Sequence, residues 1–304
     1  MSALSAAFFH DEASAFEKLE SLLWPEGPVC PHCGGMGRIT RVKGGRMGLR
    51  RCGDCKKQFT VTVGTVFEAS HVKLHLWLQA AHLLASSKKG FSAHQLHRTL
   101  GVTYKTAWFM FHRLREAMRD GDLAPMGGLD SPAGGAGIVE ADETFIGREP
   151  GAPVKRAYHH KMKVLSLVDR EAGKVRSIVV NDLKPATIVP ILEENIAKEA
   201  TLHTDEAGVY LKAAPSFIDH QTTAHGQGEY VRGIVHTNTV EGYFSVFKRG
   251  MKGIYQHCGK QHLHRYLAEF DFRYNNRAKL GVDDTERVGR ALRGAAGRRL
   301  TYRM

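Results

Sequence analysis

Four of the five cysteines form two Cys-x-x-Cys pairs, and this pattern constrains the N-terminal fold more than any other feature. Cys30 and Cys33 form the first pair, Cys52 and Cys55 form the second, and eighteen residues separate the pairs. This spacing is typical of structural zinc sites, in which four thiolates close a tetrahedral shell and leave no position for a substrate. A pair of disulfides, the alternative, requires an oxidising compartment. A ribbon this small has little core, so we expect zinc to supply much of its folding free energy.

The cysteine segment is strongly basic, and the whole chain carries a net charge of +12. Such an excess favours a polyanionic partner such as DNA or RNA, although a basic enzyme that binds no nucleic acid has the same composition. Neither an apolar stretch of membrane-spanning length nor a basic secretory signal is present in the 304 residues. We therefore expect no membrane partner and a cytoplasmic protein, associated with the bacterial nucleoid when bound to DNA. The DNA contacts predicted in the ribbon are Arg50, Arg51, Lys56 and Lys57.

Residues 72–119 have apolar residues at helical spacing in three segments. The second predicted helix begins after Ser92 and the third after Thr103, both residue types that cap helix N-termini. Gly101 and Val102 form a short turn between them, which is the helix-turn-helix pattern. In that motif the start of the second helix enters the major groove. The predicted contacts are Thr103, Tyr104, Lys105 and Thr106. A three-helix bundle without DNA contact is the alternative.

Beyond residue 137 the pattern changes to strands, at 138–147, 163–170 and 174–182. A helix from about Thr187 to Ala197 and a short strand ending at Asp205 follow. The order β, β, β, α, β is that of an RNase H-like sheet, with the helix as a crossover between parallel neighbours.

Asp142 in the first of these strands and Asp205 at the end of the fourth are the two candidate acids. Neighbouring acids compete for these roles: Glu140, Glu143 and Glu206. Alternation along a strand places Glu140 and Asp142 on one face and Glu143 on the other. Asp169 and Asp182 are interpreted as solvated turn residues. His203 and His236 are interpreted as ordinary polar positions, with contact to a metal or a phosphate as the alternative.

The segment HTNTVEGYFSVFKRG, residues 236–250, predicts an amphipathic helix with one acid and two bases. Two aspartates leave a Mg²⁺ site incomplete, and a third carboxylate from a helix would complete a two-metal site for phosphoryl displacement. Glu241 is placed for this role. Lys248 lies two turns further along the same face, where it reaches a DNA phosphate, and Arg249 follows it. Asn238 is predicted to cap the helix or to act as a neutral ligand.

These segments resemble DDE-type insertion-sequence transposases with an N-terminal zinc ribbon, the ISXO-like transposase group. The resemblance extends over roughly residues 20–302 and is carried by CPHCG, RCGDCKKQFTVTVGTVF, SAHQLHRTLGVTYKTAWFM, ADETFIG, HTDEAGVY, HTNTVEGYFSVFKRG and EFDFRYNNR. Some members of that group have Asn at the third catalytic position, so Asn238 stays a candidate beside Glu241.

The resemblance implies structural Zn²⁺, catalytic Mg²⁺ or Mn²⁺, and metal-dependent cleavage and strand transfer at the ends of an insertion sequence. It implies double-stranded DNA as partner, both terminal repeats and target, bound by a homo-oligomer. One alternative is a DNA-binding regulator that has a zinc ribbon, a helix-turn-helix and an inactive RNase H-like domain. A second is a structure-specific nuclease that does not join ends.

The predicted fold class is multidomain α+β and α/β, with an RNase H-like domain built on a mixed sheet. Residues 1–66 are assigned to an N-terminal helix plus zinc ribbon, 67–122 to helix-turn-helix-like DNA-binding helices, and 123–137 to a linker. Residues 138–285 form the catalytic domain, and 286–304 a basic tail that is either a phosphate-binding arm or simply solvated.

Overall fold

A computed structural model describes residues 3–121, 124–129, 136–153, 158–224, 226, 228–229 and 231–301. The chain divides into two compact units. Met1–Arg119 and Arg277–Met304 form the first unit, and Asp120–Asn276 form the second. Across the described ranges, no helix combines the length and the apolar character needed to cross a membrane.

The first unit begins with a helix and a small antiparallel sheet. Helix α1 (Glu12–Leu23) starts where the Asp11 carboxylate accepts the Ser14 N–H at 2.7 Å. Strands β1 (Ile39–Arg41), β2 (Arg50–Cys52) and β3 (Gln58–Phe59) pair in that order, so the predicted ribbon contains three strands. Buried Phe59 packs with Cys30 and Cys52.

Three helices follow as the spacing predicts: α2 (Leu74–Ala85), α3 (Ala93–Leu100) and α4 (Tyr104–Ala117). Ser92 and Gln95 form a reciprocal capping box at the start of α3. Thr103 caps α4 by accepting the Thr106 N–H at 3.1 Å. Gly101 ends α3 with a φ of 67°, a conformation that residues with a Cβ rarely adopt.

The second unit is built on a five-stranded sheet of order β6-β5-β4-β7-β8. Strands β4 (Ile138–Ile146), β5 (Met162–Asp169) and β6 (Lys174–Val180) are antiparallel neighbours. Strands β7 (Thr201–Asp205) and β8 (Asp219–Thr223) run parallel to β4. Helix α5 (Pro185–Asn195) connects β6 to β7. This RNase H-like topology is the one predicted from the sequence.

Helices cover both faces of the sheet. On one face, Val139, Ala141 and Leu202 pack with α5 and with α6 (Gly208–Leu211). The hairpin of β9 (Val231–Arg232) and β10 (Val235–His236) leads to the other face. There, Val164 and Val168 pack with α7 (Asn238–Gly250) and α8 (Lys260–Asn275). A π-helical turn, Met251–Tyr255, continues α7.

The C-terminal residues differ from the predicted tail. Helix α9 (Asp284–Arg293) contacts α1, α2 and α4 within the first unit, and its Val288 and Leu292 are buried. Arg298 donates to the backbone carbonyls of Glu116 and Arg119, both at 2.6 Å. An apolar face on α9 explains the difference, since residues 284–301 complete a core instead of remaining in solvent. Residues 302–304 lie outside the described part.

Two further expectations need correction. Met126, in the predicted linker, is buried in the core of the second unit and bridges to Ile196, whereas residues 123 and 130–135 lie outside the described ranges. Asp169 is not a solvated turn residue, because it is 5% exposed and accepts the N–H groups of Gly127 and Ala172.

Candidate active site

Asp142 and Asp205 lie at equivalent positions of two adjacent parallel strands. In the pairing of β4 with β7, Val139 lies beside Leu202 and Glu140 beside His203. The same register, continued by two residues, gives Asp142 a position beside Asp205. Adjacent strands lie about 4.8 Å apart, and alternation directs both side chains to the sheet face that α7 covers.

Negative charge accumulates around Asp142. Burial, together with repulsion from Glu143, Asp205 and Glu241, raises the pKa of its carboxyl to about 8, although a hydrogen bond from the Glu143 N–H opposes the shift. Because charge repulsion weakens with distance, Asp205 and Glu241 lie within electrostatic range of Asp142.

Helix α7 presents Glu241 because its buried residues form one stripe: Val240, Tyr243, Phe244, Phe247 and Gly250. Glu241 is exposed in the first turn, at the edge of this stripe and three residues before Phe244, and accepts the Thr237 hydroxyl at 3.1 Å. Thr237 is the N-cap residue and Asn238 is the exposed first residue of the helix, so the predicted cap at Asn238 is wrong.

Glu140 attaches the start of α7 to β4, and sequence reasoning considered this residue only as a rival of Asp142. Its fully buried carboxylate accepts the backbone N–H groups of Thr239 and Val240, both at 2.9 Å, and the Thr239 hydroxyl at 2.7 Å. Arg170 donates to the same carboxylate at 2.5 Å and to the Ile234 and His236 carbonyls. Glu140 is thus two residues from Asp142 in β4 and in direct contact with the first turn that carries Glu241.

Lys248 lies within electrostatic reach of both acids. Burial lowers the pKa of Lys248, and the positive charges of Lys252 and Lys161 lower it as well. The carboxylates of Asp142 and Glu241 raise it. Its Nζ lies 5.9 Å from the centroid of the Phe244 ring. Arg249 is exposed and donates to the carbonyl and hydroxyl of Ser245 on its own helix.

Glu143, Glu206 and His236, also near the site, have other partners. Glu143 accepts the Tyr210 hydroxyl on the opposite face of the sheet, and exposed Glu206 accepts the Gly226 N–H at 2.8 Å. His236 contacts Arg170 and Glu140. Burial, together with the Arg170 charge, lowers the pKa of His203 to about 4, so this ring is neutral at physiological pH.

The three acids fit hard divalent cations. Their carboxylates supply the oxygen ligands that Mg²⁺ prefers, and the charge repulsion at Asp142 is what a bound cation would relieve. Mg²⁺ keeps several waters, so protein oxygens need not close around it. Asp142, Asp205 and Glu241 would hold such ions.

The four predicted cysteines fit a zinc ion closely. Their sulfur atoms all lie within 4.8 Å of one another, with Cys30–Cys55 at 3.7 Å and Cys33–Cys52 at 3.6 Å. A tetrahedron with zinc–sulfur bonds of about 2.3 Å requires sulfur atoms about 3.8 Å apart. Among the described residues, no other group of three or more His, Cys, Asp or Glu side chains has its ligand atoms within 4.8 Å of one another.

The predicted DNA contacts of the first unit are largely exposed. Arg51, Lys56 and Lys57 face solvent on the ribbon, and Thr103, Tyr104 and Lys105 face solvent at the start of α4, with Thr106 half-buried. Tyr104 stacks on His94 with ring centroids 4.2 Å apart. Arg50 differs from the prediction, because its guanidinium pairs with Glu20 at 2.5 Å and lies over Trp24, which leaves it 12% exposed.

Two family profiles match the chain. The ISXO2-like transposase domain matches residues 135–275, and the transposase zinc-ribbon domain matches residues 10–58. A protein from Halobacterium salinarum, described as an uncharacterized protein in the transposable element ISH50, is 29% identical over 283 residues. The alignment covers 87% of this chain and 91% of that relative.

Two solved structures have a weaker likeness to this chain. A chain in the structure of the simian T-cell lymphotropic virus intasome is 14% identical, with a TM-score of 0.31. The match covers 58% of this chain and 63% of that chain. The Mos1 transposase in a paired-end complex is 13% identical, with a TM-score of 0.30. The match covers 71% of this chain and 74% of the Mos1 chain.

Proposed function

Because the chain belongs to the ISXO2-like transposases with an N-terminal zinc ribbon, we propose that it cleaves DNA at the ends of an insertion sequence and joins them to target DNA. The observation that carries this proposal is the shared register of Asp142 and Asp205 on β4 and β7, beneath the helix that presents Glu241. The substrate is double-stranded DNA, both the terminal repeats of the element and the target. A homo-oligomer holds the two ends, and the protein acts at the chromosome.

In the proposed mechanism, Asp142, Asp205 and Glu241 would hold Mg²⁺ or Mn²⁺, and the bound ions would supply Lewis-acid activation of water and charge stabilisation at the reacting phosphate. Glu140 keeps the first turn of α7 against β4, so that Glu241 stays beside the two aspartates. Lys248 and Arg249 extend the same helix with positive charge and contact DNA phosphates. Water attacks the phosphodiester at the element end and releases a 3′-hydroxyl. This hydroxyl then attacks a target phosphodiester in line, so that a new bond joins it to the target phosphorus and the target 3′-oxygen leaves.

The first unit is proposed to bind DNA without taking part in the chemistry. Arg51, Lys56 and Lys57 on the ribbon would contact phosphates, and the start of α4 would enter a major groove with Thr103, Tyr104, Lys105 and Thr106. Their exposure, with Thr106 half-buried, supports this assignment. The zinc ion holds the ribbon together. The zinc ribbon and the helix-turn-helix would thus bind DNA, and the RNase H-like domain would carry out the chemistry.

An end-joining assay tests the proposal. A labelled duplex copied from the end of the encoding element is incubated with the full chain, Mg²⁺ and a plasmid target. We expect metal-dependent nicking at one position, followed by transfer of the labelled strand to the plasmid. Binding without cleavage would instead indicate a regulator with an inactive RNase H-like domain. Cleavage without transfer would indicate a stand-alone nuclease.

A further inference from the structure

A cavity of about 290 Å³ lies at the end of β4, within the second unit. Apolar side chains form much of its wall: Phe145, Ile146, Met162 and Met251. Lys161, Lys252 and the Gln256 amide supply polar groups. The volume is at the small end of ligand pockets, and an apolar wall with a few polar groups is typical of them.

The lysines at this cavity have no acidic partner in the described part of the chain. Lys161 and Lys252 line the cavity, and Lys248 is close enough for both to lower its pKa. The nearby lysines Lys163 and Lys260 differ, since both pair with Glu149. Asp142 and Glu241 partly compensate Lys248, whereas Lys161 and Lys252 have no paired acid among the residues that the structure describes. Like charges held together raise the energy of the free protein, and a bound anion lowers it.

The backbone beside the cavity is irregular. Lys252 lies in the π-helical turn Met251–Tyr255, and Gln256 ends that turn with a φ of 58° and ψ of −49°. Single π-helical turns and residues other than glycine at positive φ occur frequently at functional sites. Here the turn brings Lys252 and Gln256 to one cavity wall.

We propose that this cavity binds one nucleotide of the DNA strand next to the reacting phosphate, with the base against the apolar wall and the phosphate between Lys161 and Lys252. The inference rests on the proposed function for its DNA substrate. Aromatic and apolar walls accept any base, because every base has an apolar face, whereas the lysines select the phosphate. The subsite would fix the strand beside Asp142 without reading its sequence.

Cys258 also lines the cavity and serves as a native reporter. Short duplexes copied from the element end carry an alkyl-disulfide tether on one base at a time, at successive positions beside the cleaved phosphate. They are mixed with the full chain carrying Asp142→Asn, which holds DNA without cutting it. We expect disulfide cross-linking at one or two adjacent positions, and loss of this product in Cys258→Ser.

Two variants control for charge and folding. Lys161→Ala with Lys252→Ala should lower the cross-linking yield about tenfold. Lys198→Ala, at an exposed lysine following α5, should leave it unchanged. An equal rate of reaction between Cys258 and a small thiol reagent in every variant shows that the cavity is folded.

The subsite is wrong if no position cross-links through Cys258, or if the lysine variants leave the yield unchanged. Cleavage of the same duplexes by the unmodified chain with Mg²⁺ is measured separately. Cleavage without cross-linking overturns the subsite alone. Cross-linking without cleavage overturns the proposed strand cutting and leaves the nucleotide subsite standing.

Discussion

The carboxylate of Glu140 on β4 accepts the backbone N–H of Val240 on α7 at 2.9 Å, across 100 residues of sequence. The contact joins the strand that carries Asp142 to the helix that carries Glu241. A negative group at a helix N-terminus also stabilises the helix, since the first N–H groups have no partner within it.

We expect Glu140→Gln to weaken cleavage without weakening DNA binding. An amide cannot accept both backbone N–H groups and the Arg170 guanidinium, so the first turn of α7 loses its position. Partners that orient metal ligands typically contribute a factor of about 10 to 100 in activity or metal affinity. The measurement is the cleavage rate as a function of Mg²⁺ concentration, and the Mg²⁺ requirement should rise.

Glu206→Gln is the matched control for Glu140, because exposed Glu206 adjoins Asp205 and contacts only the Gly226 N–H among the described hydrogen bonds. Its cleavage rate and Mg²⁺ requirement should equal those of the unmodified chain. A Glu140→Gln protein with an unchanged Mg²⁺ requirement would contradict the positioning role.

Zinc removal should unfold the ribbon and leave the second unit folded. Trp24 packs edge-on against Phe59 at 5.9 Å, so its fluorescence reports the ribbon. We expect Cys52→Ser to lose bound zinc and to shift this fluorescence, because a ribbon with so small a core depends on the metal. Cys258→Ser is the matched control and should retain one zinc per chain by metal analysis. Retention of zinc in Cys52→Ser would contradict the four-thiolate site.

Helix α9 should be essential for the stability of the first unit. A Cβ at Gly294 would lie 2.1 Å from the Ala117 carbonyl oxygen, which is backbone at the end of α4. We therefore expect Gly294→Ala to destabilise this unit by about 1 to 3 kcal/mol in urea unfolding. Gly289→Ala, within α9, meets only the mobile end of Arg293 and the Glu286 carboxylate beyond 3.5 Å, and should not destabilise it. Equal stabilities of the two variants would show that α9 does not pack here.

The stability of the second unit should depend on the protonation of Asp271. Burial raises the pKa of Asp271 to about 7, although the Tyr243 and Ser177 hydroxyls and the Ser177 N–H donate to its carboxylate and oppose that shift. At pH values between 3.8, the ordinary pKa of an aspartate, and about 7, Asp271 binds a proton in the folded state and releases it in the unfolded chain. This group therefore lowers stability as pH rises through that window.

Thermal melting of Asp271→Asn tests this dependence. The fall in melting temperature from about pH 5 to about pH 8 should be smaller in Asp271→Asn than in the unmodified chain. Asp182→Asn is the control, because hydrogen bonds from Thr187 and Lys184 lower the pKa of Asp182 and move its titration below the window. If Asp271→Asn melts with the pH dependence of the unmodified chain, the assignment is wrong.

Local patterns predicted much of this architecture. Apolar spacing and capping residues indicated α2, α3 and α4, and alternation placed Glu143 on the face opposite Asp142, where Tyr210 contacts it. These features depend on residues close in sequence, so a single chain is sufficient to detect them.

Contacts between distant segments were missed. The bond between Glu140 and Val240, the packing of α9 against α4 and the pairing of Arg50 with Glu20 join segments far apart in the chain. A carboxylate inside a strand has the same appearance in sequence whether it binds a metal or caps a helix. Only the fold distinguishes Glu140 from Asp142.

The central claim is that Asp142, Asp205 and Glu241 act as one metal-binding catalytic set, with Asn238 outside it. The most direct measurement is Mg²⁺-dependent cleavage of an element-end duplex by Asp142→Asn, Asp205→Asn, Glu241→Gln and Asn238→Ala, at equal DNA occupancy. Loss of metal stabilisation of the transition state corresponds to several kcal/mol, so each of the three acid variants should cleave at least about a thousandfold more slowly. Asn238→Ala should cleave at the rate of the unmodified chain. Full activity in Glu241→Gln together with its loss in Asn238→Ala would contradict the claim.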